Sequence, residues 1–122
     1  MSTLKKHTLA SIGITPVIDG LTDNQVILVT AAGVITGSPV TKEDINVDSD
    51  PKKFFISKMA KEFSDSYRKD NNISAEEILE GNDGFLLLKN ATLHSADGTP
   101  FNFKEIIVFY DEIIAASLGN FS

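Results

Sequence analysis

The stretch Gln25–Val40, QVILVTAAGVITGSPV, decides the fold. Valine, isoleucine and threonine crowd both sides of Ala31-Ala32-Gly33, the pattern of two antiparallel strands joined by a tight turn. Alternation puts Val26, Leu28 and Thr30 on one face of the first strand and Ile27 and Val29 on the other. Both faces are apolar, so this strand calls for burial on two sides or for cover from a partner chain. Pro39 makes Ser38–Val40 a poor central-strand segment, and the acidic run Lys42–Asp50 reads as a loop.

Two further β-rich segments lie downstream. Phe85–Leu93 (FLLLKNATL) follows the turn residues Asn82-Asp83-Gly84 and is apolar on both faces at its start. Asp97-Gly98-Thr99-Pro100 marks the next reversal, and Phe101–Ser117 (FNFKEIIVFYDEIIAAS) is nearly continuous Ile, Val, Phe and Tyr, interrupted by Asp111-Glu112. The pattern leaves residues 111–118 open between strand and helix. So much two-faced apolar strand exceeds what a small domain hides, which points to an oligomer interface involving Ile107 and Phe109.

Between the strand-rich halves the period changes. Pro51–Lys69 reads as a helix with Asp50 as N-cap and Pro51 at the first helical position, where its missing N–H costs nothing. Phe55, Ile56, Met59, Phe63 and Tyr67 recur at three- and four-residue intervals, opposite Lys58, Glu62, Asp65 and Lys69. Such a stripe is a core face or, alternatively, a partner-docking surface. Ser74 and Glu77 have capping-box spacing, predicting a second short helix that Gly81 closes. Residues 1–13 read as a flexible arm or a short helix, with Leu4, Leu9 and Ile12 loosely spaced and Gly13 ending the pattern.

Composition narrows the function classes. The 122 residues fit one domain, 1–122, with no run of about 18 apolar residues that would cross a membrane and no secretory-type apolar core, so a cytoplasmic setting is expected. The absence of cysteine excludes disulfides, thiolate metal sites and a cysteine nucleophile. A formal charge of -6 opposes nonspecific binding to a phosphate backbone, and no DNA partner is expected. The lysines and Arg68 between positions 52 and 69 alternate with acids, the pattern of a solvated helix face. Asp44, Asp48 and Asp50 do not match a calcium-loop spacing, and His7 and His94 lack partners at metal-ligand or triad spacing. Phosphate-loop and dinucleotide-binding glycine motifs are absent from the sequence. Catalytic residues, metal and cofactor are therefore all expected to be none. The carboxylate pairs Glu76-Glu77 and Asp111-Glu112 would serve acid–base chemistry only in a cleft that raised one pKa.

With these strands laid out, the chain resembles the Sm and Lsm-like family of small five-stranded barrels. The segment Pro16 to Leu21 is similar to the family's opening proline and leucine segment. Val26-Ile27-Leu28-Val29-Thr30, followed by Gly33 and Gly37, resembles its first motif, V-x-V-x-L-x-x-G-x-x-x-x-G. Leu86–Ala91 is similar to its central strand, and Ile106–Ile114 to its last two strands, with Asp111-Glu112 at their connection. The resemblance covers about two-thirds of the chain and implies an α+β fold, a small antiparallel five-stranded barrel carrying a helical insertion (residues 49–81) between its second and third strands. Phe85 stands where the RNA-binding members place an Asn, and Tyr110-Asp111 where they place a basic residue and glycine, so the RNA-contact residues do not carry over. The expected function is a nonenzymatic, homo-oligomeric assembly or protein-interaction module, with Phe55, Met59, Phe63, Tyr67, Ile107 and Phe109 as contact residues. The alternative is a ring-forming RNA-binding protein of the same type, with Phe85 stacking on a base. A small-molecule enzyme or ligand binder, with a deep pocket, is the third reading.

Overall fold

A computed structural model describes residues 3–17, 24–41, 44–45, 54–74, 76–81 and 83–119. The central hairpin forms where its β-branched residues lie. Strand β1 (Gln25–Thr30) pairs antiparallel with β2 (Gly33–Pro39), with Leu28 opposite Ile35 and Thr30 opposite Gly33. The two-residue turn Ala31-Ala32 closes on a Thr30 hydroxyl that donates to the Gly33 carbonyl at 3.0 Å. Gly33 has φ +141°, and a Cβ there would run into the carbonyl oxygen of His94 on the neighbouring strand, so only glycine fits. Strand β2 runs through Pro39, further than the sequence pattern suggests, because proline is its last residue.

Three more strands complete one sheet. These are β3 (Phe85–His94), β4 (Pro100–Phe109) and β5 (Ile113–Gly119), in the spatial order β4-β3-β2-β1-β5, with every pairing antiparallel. Residues Tyr110–Glu112 form a single 3-10 turn between β4 and β5, and the run after it is a strand, which settles the strand-or-helix alternative for 113–119. Breaks in register between Thr36 and Ser38, with Asn90 at φ +50° opposite, bend β2 and β3 together. At the bend Gly37 lets β3 approach: a Cβ on it would lie 3.1 Å from the Ala91 Cβ and 3.2 Å from the Leu88 Cβ.

The core lies on one side of this bent sheet. Val26, Leu28, Ile35, Leu88, Ala91, Val108, Tyr110 and Ile113 form one cluster, with Val26, Leu28 and Leu88 fully buried. Each large aliphatic side chain buried in this way contributes about 1.5–3 kcal/mol. Helix α1 (Leu4–Ile14) adds Leu9 to the cluster and packs Ile12 against it. The Thr3 hydroxyl caps α1 by accepting from the Lys6 N–H at 3.1 Å.

Helix α2 (Phe55–Asp70) falls between β2 and β3 in the chain and packs against β4, on the side of the sheet away from the core cluster. The expected cap Asp50 and first-turn Pro51 lie outside the described residues. Within them, the helix starts at Phe55, after Phe54 in a left-handed conformation (φ 52°) that supplies no side-chain cap. The short helix anticipated after Ser74 is a turn among the described residues up to Gly81. The Glu77 N–H does meet the Ser74 carbonyl at 3.2 Å, but Arg68 Nη1 donates to the Ser74 and Glu77 carbonyls at 2.8 and 2.6 Å. Those tertiary bonds satisfy carbonyls that a helix this short, with its costly nucleus, would have had to pair itself.

Candidate protein-interaction groove

Strand alternation assigns the two sides of β3 and β4. Leu86, Leu88, Ile106 and Val108 face the core, so Phe85, Leu87, Ile107 and Phe109 stand on the opposite face. Phe85 lies opposite Phe109 in the ladder, and their rings meet edge to face with centroids 5.9 Å apart and planes at 83°.

Helix α2 is fastened to this face at its first turn. Glu105 of β4 accepts from the Ser57 hydroxyl at 2.6 Å, the Ser57 N–H at 3.0 Å and, at 3.4 Å, the Ile56 N–H. A carboxylate from a strand thus fills the capping place that Phe54 leaves empty, at the end of the helix where the dipole favours negative charge. Nearby, Lys89 of β3 reaches Asp44 at 2.7 Å and lies 6.0 Å from the centre of the Phe54 ring.

The residues that α2 turns to the sheet are small. Ser57 and Ala60 are buried, and Ser64 on the same face is half-buried. The apolar stripe read as a possible core face is rotated away from the sheet: Phe55, Ile56, Phe63 and Tyr67 are 54, 40, 63 and 45% exposed. The core role is therefore corrected, because small side chains let the helix sit close while its aromatics overhang. Met59 is half-buried.

The overhang creates an apolar groove of about 310 Å³ between α2 and strands β3 and β4. Phe63 and Tyr67 line it from the helix, Phe85, Ile107 and Phe109 from the sheet, and Ala60, Ser64, Leu79, Asp83 and Gly84 complete it. Five residues singled out from sequence are thus gathered in one place, whereas Phe55 and Met59 do not line the groove. Phe85 is engaged with Phe109 there.

Two cations, Lys6 and Arg68, lie beside the groove and share Leu79, Asp83 and Gly84 with it as neighbours. Lys6 of α1 is itself buried and donates through Nζ to the Leu79 carbonyl at 2.5 Å. Burial holds this ammonium below its usual pKa range, against the attraction of Asp83. Arg68, as above, grips the 74–77 turn. Both cations beside the groove are thereby committed to backbone carbonyls. Among the described residues no cluster of three metal-ligating side chains occurs, and no helix is long and apolar enough to cross a membrane. Asp44, one of the three aspartates of the acidic loop, is paired with Lys89, and Asp48 and Asp50 lie outside the described residues.

Sequence reasoning missed Glu105, Ser57 and Ala60, which place the helix, and Leu79, which lines the groove. The available signals were a lone acid in the apolar run of β4 and small residues at Ser57, Ala60 and Ser64 along one helix face. Compared with family models, with curated proteins and with solved structures, the chain finds no match.

Proposed function

We propose that the chain is a nonenzymatic assembly module of Sm-like type whose copies join by pairing the free edges of their sheets. The observation that carries this reading is the open sheet: β4 and β5 are its terminal strands, of ten and seven residues, and they are not paired with each other. Each free edge presents a row of backbone N–H and C=O groups able to accept another strand. Natural edges are blunted by charges or proline, yet β5, IIAASLG, has neither. Strand β4 begins at Pro100 and carries Lys104 and Glu105, of which Glu105 is turned to α2, so the apolar run Ile106–Phe109 is the unblunted part of that edge. Large apolar side chains remain on or beside both edges, including Phe101, Phe109 and Ile114 at 62, 55 and 71% exposure. Five antiparallel strands, the glycine pair of the first hairpin and the turn at Asp111-Glu112 between the last two strands support the Sm-like reading.

The test is the solution mass by size-exclusion chromatography with light scattering, on protein freed of nucleic acid. Wild type is expected at a multiple of 13.2 kDa, and Phe109→Asp at a reduced mass with its far-ultraviolet circular dichroism unchanged. A wild-type monomer at high protein concentration overturns the proposal.

A further inference from the structure

The chain has eight phenylalanines and two tyrosines, and four of these rings, Phe63, Tyr67, Phe85 and Phe109, line the α2 groove. The core is built otherwise: its buried cluster is aliphatic except for Tyr110. Aliphatic side chains would make an apolar groove equally well, because the gain from burial follows apolar area whatever its source. What rings add is a negative π face, which attracts a cation held within about 6 Å of the ring centre. The Phe85 and Phe109 planes meet at 83°, the relation of adjacent walls around a rounded guest.

Charge selects the same guest. Among the described residues that line the groove Asp83 alone carries a charge, and it is exposed. An anion would meet both the ring faces and this carboxylate with the wrong sign. Lys6 and Arg68 stand beside the groove, but each donates to backbone carbonyls. The recess that those two line also holds Glu76, Glu77 and Asp83, so acids outnumber cations there. At about 310 Å³ the groove is at the small end of ligand sites, a size for a trimethylammonium group with a short tail rather than for a length of peptide. We infer that the α2 groove binds a small quaternary ammonium cation, with Phe63, Tyr67, Phe85 and Phe109 as an aromatic cage and Asp83 as its counter-ion.

An NMR titration with choline tests the site and reads the same whether the chain is a monomer or an assembly. The control of equal shape is the neutral alcohol in which a tert-butyl group replaces the trimethylammonium. Choline is expected to shift the ring signals of Phe63, Phe85 and Phe109 and to bind at least about fivefold more tightly than the alcohol. Phe63→Leu removes one ring at an exposed position while keeping an apolar side chain. It is expected to weaken choline about threefold or more and to leave the alcohol within about twofold. Asp83→Asn is expected to do the same, and unchanged circular dichroism and thermal midpoint establish that both variants fold. Equal binding of choline and the alcohol, unchanged choline binding by either variant, or no shift at all overturns the cation site. A peptide carrying trimethyllysine that binds more than about tenfold tighter than choline overturns the small-molecule occupant.

Discussion

Replacing Glu105 by alanine removes the carboxylate that accepts from the first turn of α2 and fastens it to β4. The magnitude follows from three contacts. The 2.6 Å bond from the Ser57 hydroxyl is charge-assisted, and bonds to charged groups contribute about 1.5–3 kcal/mol. The Ser57 N–H at 3.0 Å adds a backbone donor at a helix start, where a negative charge contributes about 0.3–1 kcal/mol through the dipole. The Ile56 contact at 3.4 Å is too long to add much. Ser57 has no exposed surface, so its two donors lose their partner in a place water does not reach. The expected loss is about 3 kcal/mol, a large part of the roughly 5–15 kcal/mol that keeps a domain folded. Urea denaturation measures it, and native-state hydrogen exchange locates it, with α2 amides losing protection before those of β1 and β3. Glu105→Gln keeps an acceptor and should lose about 1 kcal/mol, and Ser57→Ala a similar amount. In a double-mutant cycle, Glu105→Ala and Ser57→Ala should couple by more than about 0.5 kcal/mol. A Glu105→Ala protein within about 0.5 kcal/mol of wild type, with α2 still protected, would refute the claim that this carboxylate docks the helix.

Leu28→Ala, at the fully buried centre of β1, should destabilise by about 3 kcal/mol in urea melts, with the cavity left among the side chains of the core cluster. Gly37→Ala should lower the denaturation midpoint by about 1–2 kcal/mol in equivalent free energy, since the added methyl meets Ala91 and Leu88 where β2 and β3 bend together. At Asp44, burial raises the pKa, but hydrogen bonds from Lys89 and Thr41 outweigh it and hold the carboxyl below its usual 3.8. Its stabilisation is therefore present above that value and lost as pH falls through the lower folded one. Lys89→Met should flatten this acid limb of a stability–pH profile, by at most about 1 kcal/mol because both side chains are partly exposed.

The sheet was legible because its signals are local. β-branched runs, alternation and the turn residues around Gly33, Asn82-Asp83-Gly84 and Asp97-Gly98 locate strands without reference to the rest of the chain. Helix α2 was legible in position and hidden in orientation. Its periodicity is dominated by Phe55, Phe63 and Tyr67, whereas the face that packs is Ser57 and Ala60, whose small side chains barely register in an apolar pattern. Its cap was out of reach for a different reason: Glu105 lies 48 residues from Ser57, so no local spacing announces it. The Ser74–Glu77 box misled because Arg68 and Lys6 decide that segment through contacts between distant elements. Five of the groove residues, Phe63, Tyr67, Phe85, Ile107 and Phe109, were visible as aromatics and aliphatics in the sequence. Their convergence depends on β3 and β4 being neighbours with Phe85 opposite Phe109, which is a property of topology.

The aromatic arrangement also gives the molecule a natural optical reporter. The chain has no tryptophan and only two tyrosines, Tyr67 and Tyr110. Tyr110 is buried in the core cluster, whereas Tyr67 is 45% exposed on the rim of the groove. Intrinsic emission therefore comes from one shielded ring and one ring open to solvent, and a neutral collisional quencher should distinguish two populations. Anything that settles into the groove converts the second into the first, so the quenchable fraction reads occupancy directly, with no label attached to the protein.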